Sequence, residues 1–195
     1  MVTKPPAHRP SRRDEIVDAA IAVFSQRGFV DTSISDVAAA ADVAVTAVYY
    51  HFAGKEQILL EGLRAFSDEL VSVAQQRVDD ALPVGELMVE LLDHIRRRRT
   101  AASVFFINSA GLNLALEAHR KTVRAELAEL FAVAARRTRK RLPVAEAGVM
   151  GAALVSLLEV SAVAVLGRDR AFKALGVRGV PTAVADLAQR IVGLD

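Results

Sequence analysis

Apolar side chains near the start of the chain fall at helical spacing. Ile16, Ala19, Ala20, Val23 and Phe24 stand at i, i+3, i+4, i+7 and i+8, one face of an α-helix. Ser11, with Asp14 three residues on, is a capping-box-like start: the hydroxyl accepts from an orphan N–H and the carboxylate reaches back. Gly28 is placed to end this helix in the left-handed conformation, with Phe29 over its last turn. Ser33 and Asp36 repeat the box and open a very short, alanine-rich helix over 37–41. After Asp42, Val43 and Ala44, a third helix is predicted over 45–52. Two short helices on a tight turn, the second polar and aromatic, predict a helix-turn-helix. Residues 53–56 break the third helix, and a long fourth starts from about 55 with Ile58, Leu59, Leu63 and Phe66 inward.

The rest of the chain also reads as helices. Residues 85–93 are amphipathic (Leu87, Met88, Leu91, Leu92) and run into Arg96, Arg97, Arg98 and Arg99. Residues 101–116 are apolar, with Phe105, Phe106, Asn108, Ser109 and Asn113 set into them. Residues 117–141 predict a long helix with Val123, Leu127, Leu130 and Phe131 inward, broken by Leu142 and Pro143. Residues 147–167 predict another, carrying a single charge at Glu159, and Pro181 starts a final helix over 183–192. The expected fold is all-α with about nine helices, and no fixed-period repeat suggests a solenoid.

Composition narrows the picture. The chain has 195 residues, no Cys and no Trp, with 52% hydrophobic and only 5% aromatic residues. Zero Cys excludes a disulfide scaffold, thiolate metal sites and a Cys nucleophile. Residues 1–13 lack the apolar core of a signal peptide, so a soluble cytoplasmic protein is expected. The helix over 147–167 is long enough to span a bilayer, which takes about 20 apolar residues. Its many Ala and Gly are weakly hydrophobic, however, and a mid-helix carboxylate costs more than about 2 kcal/mol in lipid; no membrane partner is expected. Net charge is only +2, but it is unevenly placed. Residues 94–141 hold twelve bases against three acids, and Lys4, Arg9, Arg12 and Arg13 precede the first acid. Basic concentrations of this kind are what a nucleic-acid binder needs.

The run Arg13, Ile16-Val17, Ala19-Ala20, Phe24, Gly28-Phe29, Thr32-Ser33-Ile34, Asp36-Val37-Ala38, Ala41, Val43, Val48-Tyr49, His51-Phe52, Lys55-Glu56 resembles the DNA-binding head of the TetR family of transcriptional regulators. The resemblance covers about the first third of the chain. It implies a basic arm over 1–10, a three-helix helix-turn-helix head over 11–56, and an effector-binding and dimerisation body over 57–195. Carried over position by position, it places Ser35, Val45, Thr46, Ala47 and Tyr49 where the family reads bases, and Ser33, Tyr50, His51 and Lys55 where it grips phosphates. Hydroxyls and an imidazole N–H can donate to phosphate oxygens, and Val45, Thr46 and Ala47 suit thymine methyl groups. The basic side chains of the arm are candidates for a minor groove. Two positions depart from the family's pattern. Asp42 stands where it usually has Gly in the turn, and Ala44 stands where it often has a Ser or Thr cap.

The resemblance also implies a homodimer through the last two helices, released from an inverted-repeat operator by a small-molecule effector. Gly148, Ala152 and Ser156 recur every four residues and are the candidate dimer contacts. The candidate effector lining is Met88, Leu92, Phe105, Phe106, Asn108, Leu112, Phe131, Leu154 and Glu159, an apolar set with two polar anchors that suits a lipophilic ligand. Glu159 either pairs with an Arg of the body or sits at the dimer seam. Consecutive helical residues point about 100° apart, so Arg96 to Arg99 cannot all line one anion site. No catalytic or metal residue is expected and no cofactor. The four His form no His-Glu-x-x-His pair, and no Gly-rich phosphate loop or nucleophile elbow is present. The function implied is a TetR-like regulator, a repressor; the alternative is an all-helical small-molecule binding protein without DNA-binding activity.

Overall fold

A computed structural model describes residues 11–109, 111–167 and 176–193. The arm over 1–10, with Lys4 and Arg9, lies outside the described residues. The chain divides into two compact units, residues 1–62 and 63–195. The division falls inside one helix, so a single continuous helix belongs to both.

The first unit holds α1 (Arg12–Arg27), α2 (Ile34–Ala40), α3 (Val45–His51) and the start of α4 (Lys55–Asp79). Both capping boxes form as reciprocal pairs, Ser11 with Asp14 and Ser33 with Asp36. Ile16, Ala20, Phe24, Val37, Val48, Phe52, Ile58 and Leu59 bury together as the core. Phe29 covers the end of α1 with its ring 5.3 Å from that of Phe24. Gly28 has φ 84° but ψ 161°, so it leaves the helix as an extended residue rather than in the left-handed helical conformation expected for it. At Gly62 a Cβ would stand 2.5 Å from the Ile21 side chain, so glycine sets how closely α1 and α4 approach.

The turn between α2 and α3 is a Schellman ending. The N–H of Val43 donates to the Ala38 carbonyl and that of Asp42 to the Ala39 carbonyl, with Asp42 at φ 53°. Asp therefore does what Gly usually does there, because its short polar side chain tolerates positive φ better than most. α3 starts at Ala44 with no side-chain cap.

The second unit holds the rest of α4, α5 (Val84–Arg97), α6 (Arg99–Ser103), a π-helical turn over Val104–Asn108, α7 (Leu114–Thr138), α8 (Val144–Val165) and α9 (Gly176–Gly193). Leu63, Phe66, Leu70, Ala74 and Val78 form the inward stripe of α4. The apolar stretch over 101–116 is not one helix. The π turn and the following loop, with Gly111 at φ 74°, interrupt it, and Asn113 caps α7 by accepting from the Leu116 N–H. α9 begins at Gly176, not after Pro181: the helix passes through the proline, which supplies no N–H to it.

α7 and α8 pack closest at Gly151, where a Cβ would lie 2.1 Å from the Ala128 carbonyl oxygen. α5 and α9 meet the same way at Gly85, beside the Ala185 carbonyl. α8 is long and apolar enough to cross a membrane by length and composition. One side of it is core (Ala147, Leu154, Val155, Leu158, Ala162), while Val149 and Val160 are 72% and 53% exposed on the other. A helix that is apolar all round is thus covered on only one side by its own chain.

Candidate functional site

α3 contributes one buried side chain, Val48, to the core of its unit. Val45, Thr46, Tyr49 and Tyr50 are exposed, Ala47 and His51 half-buried, and Tyr50 is the most outward at 85%. Its ring meets that of His51 edge-on at 5.0 Å. The helix has no side-chain cap, so it is held by Val48 and by Phe52 at its end rather than by its start. Ser33 and Ser35 are exposed at the start of α2. An open groove of about 520 Å³ brings Ser33, Tyr49 and Lys55 to one surface, with Thr32, Ala53 and Gly54 between them. Val45, Thr46, Ala47 and Tyr50 are not part of this groove's lining; they stand on the outward faces of α3.

Three of the expected polar contacts already have partners within the chain. The Ser33 hydroxyl caps α2 and also donates to Asp36. The bonds that the Ser33 hydroxyl and the Ser33 backbone N–H donate to Asp36, followed by Arg27 at 3.0 Å, hold the Asp36 carboxyl below its ordinary value. Lys55 was expected to grip phosphate. Its ammonium instead donates to the carbonyl oxygens of Phe29, Val30 and Thr32, at 2.9, 3.2 and 2.9 Å, and lies over the Phe29 ring. An ammonium has three N–H donors, so all three are occupied. Arg13, expected to extend the basic arm, forms a bidentate pair with Glu61, donates to the His51 carbonyl, and stacks 4.2 Å from the Phe52 ring centroid. It ties α1 to the end of α3 and to α4. Arg12 stays at the surface, paired with Glu15.

In the second unit, Met88, Leu92, Phe131 and Leu154 are fully buried in packed core, and none of them lines a described cavity. Asn108 and Leu112 are half-buried and also line none. Phe105, Phe106 and Glu159 do come together. With Val123, Leu127 and Leu158 they surround a void of about 20 Å³, room for little more than one water. Above it an open cleft of about 510 Å³ runs between α7 and α8. Glu159 pairs with Arg124 at 2.6 Å, the first of the two alternatives left open for it. Arg120 donates to the Phe105 carbonyl, which also accepts from the Ser109 hydroxyl, and its guanidinium lies 5.1 Å from the Phe105 ring. The arginine run is divided among different partners: Arg96 pairs with Asp93, Arg98 with Glu69, and Arg99 with the Leu166 carbonyl.

The remaining side-chain pair with catalytic potential is Ser67 with His119, 2.9 Å apart. Ser67 is buried, its hydroxyl is also within hydrogen-bond distance of the Arg64 carbonyl, and which of Ser67 and His119 donates is set by the imidazole tautomer. Burial, more than any neighbouring charge, holds the His119 pKa below its ordinary value. Among the described residues no group of three His, Cys, Asp or Glu could hold a metal ion.

A capped short helix, a Schellman turn and a second short helix facing outward form a helix-turn-helix, and the elements among the described residues of the other unit are all helical. Residues 16–61 match the family described as bacterial regulatory proteins, tetR family. The repressor KstR2 of Mycolicibacterium smegmatis is 38% identical over 81 residues, 42% of this chain and 40% of that protein. The regulator BetI of Brucella anthropi is 36% identical over 61 residues, 31% of each chain. The chain thus matches less than half the length of these curated relatives. Solved structures match over nearly all of it. A TetR-like regulator from Rhodococcus sp. RHA1 has a TM-score of 0.73 at 22% identity, covering 97% of this chain and 100% of that one. FadR from Bacillus subtilis, in complex with stearoyl-CoA, has 0.71 at 14% identity, covering 92% and 97%. Residues 16–61 thus match the tetR family's model, and the chain as a whole shares the fold of these solved structures.

Proposed function

We propose that the protein is a transcriptional regulator, a repressor that binds an inverted-repeat operator as a homodimer and is released by a small lipophilic effector. The observation that carries the reading is α3: a seven-residue helix that buries only Val48 and turns Val45, Thr46, Tyr49 and Tyr50 to solvent. Exposed aromatic and β-branched side chains on the second helix of a helix-turn-helix suit a major groove. Ser35, Val45, Thr46, Ala47 and Tyr49 read bases, and Tyr50 and His51 meet phosphates. Lys55 acts from behind, through the loop it holds. KstR2, named a repressor, supports the sign of regulation.

The apolar stripe that α8 leaves uncovered supports the dimer. Val149, Ala152, Ala153, Ser156 and Val160 lie on one side of the helix, and Gly148 beside them has no atom of the chain within 4 Å of where a Cβ would be. A second copy on this stripe, with the exposed Leu187 of α9, would complete a four-helix bundle. Such a dimer sets two reading helices roughly 34–36 Å apart, one turn of DNA. Effector binding in the second unit is read as acting on the head through α4, which spans Lys55–Asp79. A coupling of about 1–3 kcal/mol changes occupancy severalfold to a hundredfold. That the FadR structure holds stearoyl-CoA supports a lipophilic effector here, and a regulator of this kind works in the cytoplasm.

The test is selection of random duplex DNA on the purified protein at two salt concentrations, followed by sequencing. Enrichment of an inverted repeat with half-sites about one turn apart is expected. No enriched motif at either salt would refute operator binding.

A further inference from the structure

We infer that the cleft between α7 and α8 binds an amphipathic anion, a hydrocarbon tail with a carboxylate or phosphate head, and that the Arg124–Glu159 pair is the gate through which the tail enters. The inference rests on the effector reading above and gives it a place and a ligand chemistry. Three cations and apolar walls meet in this cleft: α7 brings Arg120, Lys121 and Arg124, and Phe106, Val160 and Val163 supply the apolar walls. Its volume, about 510 Å³, is in the range of small-molecule sites.

Charge selects the head. Two carboxylates line the cleft and both are matched. Glu159 is paired with Arg124, and Glu117 accepts from the Gly111 N–H and lies 3.8 Å from Arg120. Lys121 is exposed on the same rim and has no hydrogen-bond or ion-pair partner among the described residues. The rim therefore carries one cation in excess, which attracts an anion and repels a cation.

The floor selects the tail. Phe106, Arg120, Arg124 and Glu159 line both the cleft and the small void beneath it, so the two are separated only by these side chains. Below lie Phe105, Val123, Leu127, Val155 and Leu158, an apolar lining that offers a polar ligand nothing. Arg124 is held by Glu159 and by the Ser156 hydroxyl at 2.8 Å, both contacts are part-exposed, and exposed ion pairs hold only weakly. Swinging Arg124 from Glu159 toward an incoming anionic head would open the way to this lining. Val160 is both cleft wall and part of the uncovered α8 stripe, so a second copy on that stripe would close the cleft's remaining side.

The test uses the full-length protein and calorimetric titration with dodecanoate, dodecanoyl-CoA, dodecanol and free CoA, all below micelle-forming concentrations. Dodecanoate or dodecanoyl-CoA should bind and dodecanol and CoA should not; which of the two binds tells a free carboxylate from a phosphorylated carrier as the source of the anion. Lys121→Glu, an exposed change that leaves the core intact, should weaken the bound anion about tenfold or more, the scale of a lost charge-assisted contact. Arg124→Gln should do the same. Equal binding of dodecanol, unchanged affinity in both variants, or no binding of either acyl probe would overturn the inference. Operator binding by the unliganded wild-type protein is read in parallel by fluorescence anisotropy. Loss of the DNA-binding reading would appear there and in the DNA selection, while failure of the cleft would appear only in the titrations.

Discussion

The ammonium of Lys55 lies 2.9 Å from the carbonyl oxygen of Phe29 and 4.5 Å from the centroid of that residue's ring. With its bonds to Val30 and Thr32 it fastens the α1–α2 loop to the start of α4, and Ser33, the cap of α2, follows directly. A lysine that neutralises a phosphate contributes about 0.9 to the salt slope of DNA binding. Lys55→Ala is expected to weaken operator binding and lower stability by about 1–3 kcal/mol, with a slope change far below that figure. Titration of operator DNA at four salt concentrations decides it; a slope flatter by nearly one unit would place Lys55 on the phosphate instead.

Gly151 and Gly148 differ in what surrounds them, although both are glycines of α8. Adding a methyl at Gly151 drives it into the backbone of α7 at Ala128, where no side chain can yield. Gly151→Ala should destabilise by roughly 1–3 kcal/mol or more, as overpacking does. Gly148→Ala meets nothing and should stabilise the folded chain by about 0.5–1 kcal/mol through helix propensity. Gly148→Leu should fold but dissociate at higher concentration in sedimentation equilibrium. A dimer indifferent to it would move the seam off this stripe.

Local signals made the head legible. Capping boxes at Ser11 and Ser33, the spacing of Ile16 to Phe24 and the outward character of α3 depend on neighbours within a turn or two, and all were readable along the chain. The contacts that fix the head depend on distant partners. Arg13 finds Glu61 forty-eight positions away and Lys55 finds carbonyl oxygens, which carry no side-chain signature. In the body, periodicity located α5, α7 and α8 but not the π turn, because a one-residue widening hardly disturbs an apolar run. It also singled out Gly148 and passed over Gly151: small residues recur on both faces of α8, and only packing against α7 tells them apart. Core and cavity positions share one apolar alphabet, which is why Met88, Leu92, Phe131 and Leu154 stood beside Phe106 and Glu159 as candidates.

Two residues of the reading unit are poorer than the backbone asks for. Asp42 takes positive φ at the Schellman position, and Ala44 leaves α3 uncapped. Ala81 repeats the first defect after α4, with φ 59° and the same pair of backbone bonds to Val78 and Arg77. Ala81→Gly should stabilise by about 1 kcal/mol, since the left-handed conformation costs a side-chain-bearing residue about 1–2. Ala44→Ser should add about 0.5–1 kcal/mol by capping α3. Both are measured by urea denaturation. No gain from Ala44→Ser would mean that the first N–H groups of α3 are satisfied as well by water.

His94 ties stability to pH. It is buried against Phe66, with ring centroids 6.1 Å apart, and its Nε2 has no hydrogen-bond partner. Burial holds its pKa below the ordinary value, the carboxylate of Glu69 at 3.8 Å opposing and Arg97 and Arg98 adding to the shift. The unfolded chain, with His near pH 6.5, therefore binds more protons than the folded one just below that pH, so stability rises with pH there. His119 shifts the same way. The folded protein should be most stable above about pH 6.5 and lose stability as the pH falls from there toward the lowered folded-state values. His94→Leu should flatten part of that decline, and His94→Leu with His119→Gln most of it. Thermal melts between about pH 5.5 and 7.5, above the range where ordinary carboxylates titrate, read the slope. A wild-type protein that gained stability on acidification in this window, or a double variant with an unaltered slope, would show that the buried histidines do not govern it.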